Sequence, residues 1–406
     1  MLYLDLFNTL KSSFDLNQDK IFYSKIGQTL FNYDFSSSSS GLLKHSNFHR
    51  ESTIPPDLTE LDKPASLITQ EILEIPDHEI LENKNFRYPI LVPKNPPKSA
   101  IILLHGFNER NWAKYLPWAS IIADLTQSAV ILFPIAFHMN RAPSLWNDSH
   151  QMRLASKLRM KIYPDVINST LSNAAISIRL SDNPARFFWS GLQSFYDVVA
   201  LALSIRNGKI PILPTDVNLN FFTYSIGTFL GEIIMMTNPY ELFTQSKFVT
   251  LCGGPVFNRL SPVSKFILDS VANLEIYSFL VEHLESHLKH DNYLSHFMLN
   301  EPVGRNFFSL LNFHKDKKFR EEKLLSLAPR FYAISLEADE VVPPDEVINT
   351  LQGSRRHIPI RVDILDFNYP YRHEQPFPNL EKIAKEVDQA FHQTFQLVSE
   401  FLNYVP

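Results

Sequence analysis

The chain has 406 residues, 45% of them hydrophobic and 20% charged. That is the make-up of a globular protein with one large α/β unit carrying insertions, or with two domains. A net charge of −5, with no basic block longer than a few residues, argues against a nucleic-acid partner. The lone cysteine, Cys252, excludes an intrachain disulfide and fits a reducing compartment. No apolar run approaches the ~18 residues of a membrane span. The start Met1-Leu2-Tyr3-Leu4-Asp5 lacks the basic, then apolar, make-up of a leader, so the expected location is the cytoplasm. The 32 Phe and 27 Pro against 11 Gly suggest ring-rich pockets and proline-stiffened loops.

In chain order, residues 1–85 read as an irregular N-terminal extension, with a serine run from Ser36 to Ser40 expected to be a mobile loop. A proline-punctuated stretch through Pro55, Pro56, Pro64 and Pro76 follows it. From residue 86 onward strands and helices alternate, the pattern of a mostly parallel sheet covered on both faces. Strands are expected at Phe86–Val92, Ala100–Leu104 and Ala129–Pro134, and a helix over Trp112–Thr126. Pro184 starts a long helix, Ala185–Arg206, whose Phe187, Phe195, Val198, Leu201 and Ile205 are spaced for a buried face. The strand through Phe221, the Cys252 strand, a strand from Phe331 with a carboxylate at its end, a strand at Arg361–Phe367, and a helix over Leu380–Leu402 complete the domain, taken as 86–406. Two excursions interrupt the alternation, at about 137–183 and 255–329. The second is expected to be a helical cap over the ligand end of the sheet.

Ser225 lies where an apolar strand turns into a helix, in Thr223-Tyr224-Ser225-Ile226-Gly227. A nucleophile elbow is a strained strand-to-helix turn of this kind, which pushes a hydroxyl above the sheet. The usual pattern is G-x-S-x-G, and here Thr223 replaces the first glycine. Upstream, the strand Ile101–Leu104 ends in His105-Gly106-Phe107. Downstream come Glu337-Ala338-Asp339-Glu340-Val341-Val342-Pro343, and then Tyr371-Arg372-His373-Glu374 after the last strand. In this order the chain resembles the α/β-hydrolase superfamily over about 86–404. The phrases from His105 to Trp112 and from Phe133 to Pro143 resemble, more narrowly, an uncharacterised bacterial family of hydrolase-like proteins, a resemblance that carries no substrate.

The resemblance implies a serine hydrolase working through an acyl-enzyme. Ser225 would be the nucleophile, His373 the base and Asp339 its orienter, with the amides of Phe107 and Ile226 as oxyanion donors. Glu337, Glu340, Asp345 and Asp366 compete with Asp339, and His357 with His373. Arg110, His138 and Arg141 stand near the ligand edge as substrate contacts; the two arginines would either clamp an anionic group or pin a loop. His283, His287 and His290 place two imidazoles four apart as in a zinc helix, but Leu284 stands where that motif needs glutamate, and a solvated or cap-packing face is the expectation. No metal or cofactor is expected. The expected partner is a small ester-like molecule, with thioester and peptide open and oligomeric state unread; Phe257, Phe266, Phe279 and Phe297 are candidates for an apolar pocket wall. The other reading of the same fold is a non-catalytic binding or scaffold protein.

Overall fold

A computed structural model describes residues 1–46 and 63–404; Pro55 and Pro56 lie outside the described residues. Among the described residues nine strands form one sheet in the order β1-β2-β3-β5-β4-β6-β7-β8-β9. They are β1 Lys20–Tyr23, β2 Gln28–Ser36, β3 Asn85–Val92, β4 Ser99–Leu104, β5 Ala129–Leu132, β6 Asn218–Tyr224, β7 Phe248–Leu251, β8 Phe331–Leu336 and β9 Arg361–Leu365. The pairings from β5 through β9 are parallel, and those among β1, β2, β3 and β5 are antiparallel. Sheet, order and covering helices are those of an α/β-hydrolase fold.

Alternation along the central strands divides the core between two faces. Ile101 and Leu103 of β4, with Phe222 and Tyr224 of β6, pack on one side. There they meet the helices Tyr3–Ser13, Tyr115–Thr126 and Ala384–Asn403. Ile102 and Leu104, with Leu219 and Phe221, pack on the other side. Their cover is the helices Arg186–Arg206 and Ile226–Thr237 and the segment between β7 and β8.

The N-terminal segment differs from its expected irregularity. Residues 20–36 form the β1–β2 hairpin that extends the sheet, and β2 pairs with β3 over eight residues, Thr29 to Ser36. Buried and half-buried residues alternate along β2 from Gln28 to Tyr33, a half-covered strand pattern. The serine run is not a free loop. Ser36 ends β2, a 3₁₀ helix spans Ser38–Ser46, and the Ser37 hydroxyl donates to Asp197 Oδ1 at 2.7 Å in the interior.

Because β4, β6, β7, β8 and β9 run parallel, their C-terminal ends share one edge of the sheet. His105, Ser225, Cys252, Asp339 and His373 follow those five ends in turn. This is the edge where open α/β sheets receive ligands.

Candidate active site

Ser225 joins β6 to the helix Ile226–Thr237 with φ 55° and ψ −125°, a conformation that costs a non-glycine residue roughly 1–3 kcal/mol. Gly227 makes the tight turn possible. A Cβ there would stand 2.5 Å from the Leu104 carbonyl oxygen and 2.7 Å from that of His105, so the helix start lies directly on the end of β4. The missing first glycine has a local explanation. A Cβ at Gly231 would fall 3.0 Å from Thr223 Cγ2 and 2.5 Å from Phe248, so the helix gives up a side chain where the strand carries an extra one.

Ser225 Oγ lies 2.7 Å from His373 Nε2, and His373 Nδ1 lies 2.8 Å from Asp339 Oδ2. A carboxylate only accepts, so Nδ1 carries the proton and Nε2 is left to accept from the serine hydroxyl. The other carboxylate oxygen, Asp339 Oδ1, accepts the amides of Val341 at 3.0 Å and Val342 at 2.9 Å, which fixes the group before it meets the imidazole. Its rivals stand elsewhere. Glu337, Glu340 and Asp345 are exposed, and exposed Asp366 accepts from the Tyr371 hydroxyl. His357 faces Glu321 on the surface.

The histidine loop is braced by residues that local motif reading passes over. The Tyr224 hydroxyl donates to the His373 carbonyl, and the two rings stack with centroids 5.4 Å apart. Lys114 Nζ donates to the Glu374 carbonyl at 3.1 Å, and Ser264 Oγ donates to the Glu374 carboxylate at 2.6 Å. Cys252 sits beneath, against Asp339. Burial and then that carboxylate push its thiol well above the usual range, so it is a protonated donor. Among the described residues, Cys252, Asp339 and His373 are the group of potential ligands whose donor atoms lie within 4.8 Å of one another; His373 already has both nitrogens engaged.

The end of β4 is equally tied down. The Gly106 amide donates to the Tyr115 hydroxyl at 2.9 Å, and that hydroxyl donates to Glu109 at 2.9 Å, which also pairs with Lys114. With Gly106 so engaged, Phe107 is the next amide along, and Ile226 begins the helix, where N–H groups have no intrahelical partner. His105 Nε2 accepts the Ile135 amide at 2.9 Å, and its other nitrogen donates to the Gly106 carbonyl at 2.8 Å. Burial is the main reason its pKa falls well below the ordinary range.

A cavity of about 50 Å³ opens at Ser225, walled by Phe107, Ile226, Phe187, Phe229 and Val342 and by Pro255, Phe257, Leu260, Ile267 and Leu268 of the β7–β8 segment. Of the four expected phenylalanines, Phe257 alone is among these walls. Phe266 is half exposed, Phe279 stacks on His287, and Phe297 packs edge-on against Trp189. Phe187 and Phe229 come from helices whose buried faces read as ordinary core. A buried ion pair, Arg159 with Asp269, fastens the first excursion to the second.

Of the two roles left open for the arginines, the hydrogen bonds are those of loop pinning and not of a substrate contact. Arg110 donates to the carbonyls of Trp146 and Ser172, which pins two loops together. Arg141 is fully buried. Its guanidinium bonds Asn83, the Pro134 carbonyl and Asp197, the last at 2.8 Å, and it lies 4.2 Å over the Phe86 ring. Each donor set is spent on structure. The helix Leu284–His290 begins only after His283, which is its N-cap; His290 Nδ1 lies 2.8 Å from the Ser286 carbonyl.

The model of the Family of unknown function (DUF6051) matches residues 1–403. The chain belongs to DUF6051. Comparison with curated proteins gives no match. Among solved structures, this DUF6051 chain is similar to an S-formylglutathione hydrolase from Agrobacterium tumefaciens, with TM-score 0.46 and 11% identity over 93% of this chain and 96% of that one. It is similar to esterase Est22 with TM-score 0.45 and 12% identity, over 98% of this chain and 86% of that one. A carboxyl esterase 2 from the mycorrhizal fungus Tuber melanosporum gives TM-score 0.41 and 12% identity over 79% and 81%. Among the described residues no helix is long and apolar enough to cross a membrane.

Proposed function

We propose that this protein is a serine hydrolase that cleaves a small ester through an acyl-enzyme, with Ser225 as nucleophile. The observation that carries the reading is the unbroken line from Ser225 Oγ through His373 to Asp339, at 2.7 and 2.8 Å. His373 Nε2 removes the hydroxyl proton as Oγ bonds to the substrate carbonyl carbon. The amides of Phe107 and Ile226 receive the oxyanion, and one such donor is worth roughly 3–4 kcal/mol of barrier. His373 then gives that proton to the departing alkoxide as the ester bond breaks. A water, deprotonated by the same nitrogen, releases the acid and restores the serine. Asp339 holds the Nδ1 tautomer throughout and stabilises the imidazolium.

The segment 255–329 supplies much of the apolar wall at Ser225, which supports a role as a cap and favours a neutral, apolar group beside the scissile bond. The test is turnover of short-chain p-nitrophenyl esters. A burst of one p-nitrophenolate per chain, followed by slower steady release and abolished by Ser225→Ala, is the expected result. A wild-type rate no faster than that of the alanine variant would favour a non-catalytic role.

A further inference from the structure

The cavity at Ser225 adjoins a second one. Phe107, Phe187, Ile226 and Phe229 wall both, and the second, about 60 Å³, continues between the Arg186–Arg206 and Ile226–Thr237 helices past Ile135 and Leu192. Nearly all of its surface is hydrocarbon; His138 and Ser190 are the polar residues on it. The Ser190 hydroxyl donates to the Phe187 carbonyl at 3.2 Å. His138 is 5% exposed, and its Nδ1 lies 2.8 Å from the Ala136 carbonyl. A carbonyl cannot donate, so Nδ1 carries the proton and Nε2 presents a lone pair. That Nε2 is buried and makes no hydrogen bond among the described residues.

The imidazole is held there by its surroundings. Phe137 and Met139, on either side of it, have φ of 63° and 52°, an uncommon backbone state that persists only where neighbours enforce it. The Phe137 amide donates to Asn83 Oδ1 at 3.3 Å and the Met139 amide to the Glu109 carbonyl at 2.8 Å. The His138 and Phe107 rings meet in a T-shaped contact with centroids 5.1 Å apart. Burial, and then the Arg141 charge, lower its pKa to about 4, so the ring is neutral near pH 7. An unmet acceptor buried among hydrocarbon is costly; a site of that kind discriminates strongly for a ligand that brings the missing donor.

We propose that the second cavity is a substrate subsite, and that His138 Nε2 selects an ester whose chain carries a hydrogen-bond donor, a hydroxyl or an amide N–H, placed a few atoms from the carbonyl. The proposal rests on the ester-hydrolase reading for what lies at Ser225, and His138 acts in it as a specificity-determining residue.

The test separates binding from turnover. Ser225→Ala protein, labelled with ¹⁵N-histidine, is titrated with methyl hexanoate and with methyl hexanoates hydroxylated singly at carbons 3 to 6. At least one hydroxylated ester should bind roughly tenfold or more tightly than the parent, as one hydrogen bond to a buried acceptor allows. It should also move the His138 Nε2 resonance, which the parent ester leaves in place. Adding His138→Leu should erase the preference while keeping the parent ester's affinity; His138→Gln, which retains an acceptor, should keep part of it. Equal affinity for all the esters, a preference that survives His138→Leu, or an Nε2 resonance already hydrogen-bonded to a retained water would overturn the proposal. Loss of ester turnover in the wild type would count against the hydrolase reading alone, since the binding titration decides the subsite separately.

Discussion

Replacing Gly227 by alanine perturbs the elbow at its tightest point. The added Cβ would lie 2.5 Å from the Leu104 carbonyl oxygen, about 0.9 Å inside an ordinary 3.4 Å contact, with the His105 oxygen at 2.7 Å behind it. Both obstacles are backbone at the end of β4, so neither yields by a rotamer change. The helix start has to lift by a large fraction of an ångström, and overpacking of this kind costs roughly 1–3 kcal/mol. That lift carries Ser225 and the Ile226 amide away from His373 and Phe107. A 1 Å misplacement costs on the order of a hundredfold in rate. A chain of 406 residues has so large an unfolding entropy that a change of about 2 kcal/mol moves Tm by only a few degrees. The decisive assay is therefore kcat on a short p-nitrophenyl ester, with urea unfolding as the companion. Gly41→Ala, in the Ser38–Ser46 3₁₀ helix, is the control, because nothing lies within 4 Å of its Cβ position and its φ is outside the left-handed region. A Gly227→Ala enzyme with wild-type kcat and stability would refute the reasoning.

Further expectations follow from the same geometry. Ser225→Gly should raise stability by roughly 1–2 kcal/mol, because glycine adopts the φ 55° of that turn without the strain; urea titration showing a loss would contradict this. Asp339→Asn should leave folding intact and lower kcat by roughly 10³–10⁴-fold, since the His373 tautomer is no longer enforced; a drop confined to KM would count against it. Glu232 is buried and, among the described residues, neither of its carboxylate oxygens makes a hydrogen bond, and burial raises its pKa well above 4.5. Its folded state binds the proton more tightly than the unfolded chain does. The associated stability is therefore full below about pH 4.5 and is lost as pH rises toward the raised value, by about 1.4 kcal/mol per unit. Glu232→Gln should remove that slope, so its stability relative to wild type should grow between pH 5 and pH 8; parallel pH profiles would refute the assignment.

The placement of Ser225, Asp339 and His373 at strand ends was legible because each stands in a short local signature beside an apolar run. Thr223 made the elbow look imperfect, since the compensating gap, Gly231, is a turn away on the helix. The choice for the arginines between clamping a substrate and pinning a loop stayed open because a strand-end position says where a guanidinium starts and nothing about its partners. Arg141 meets Asn83 and Asp197, both more than fifty residues distant in sequence. Asp339 comes to lie over Cys252 through the register of β7 on β8, where Leu251 pairs with Ile334; no local pattern encodes that. The β1–β2 hairpin was missed because Ser- and Pro-rich neighbours masked the alternation from Gln28 to Phe35. Phe187 and Phe229 carry the ring-rich pocket that composition suggested, but on helices whose apolar faces serve both core and cavity.

The central claim is that Ser225 is an activated nucleophile. Reaction of the purified protein with a fluorophosphonate, followed by intact-mass measurement and peptide mapping, tests it most directly. One adduct per chain is expected, on the peptide carrying Ser225, absent from Ser225→Ala and formed much more slowly in His373→Ala. No adduct on the folded wild-type protein, or an adduct that persists in Ser225→Ala, would contradict it.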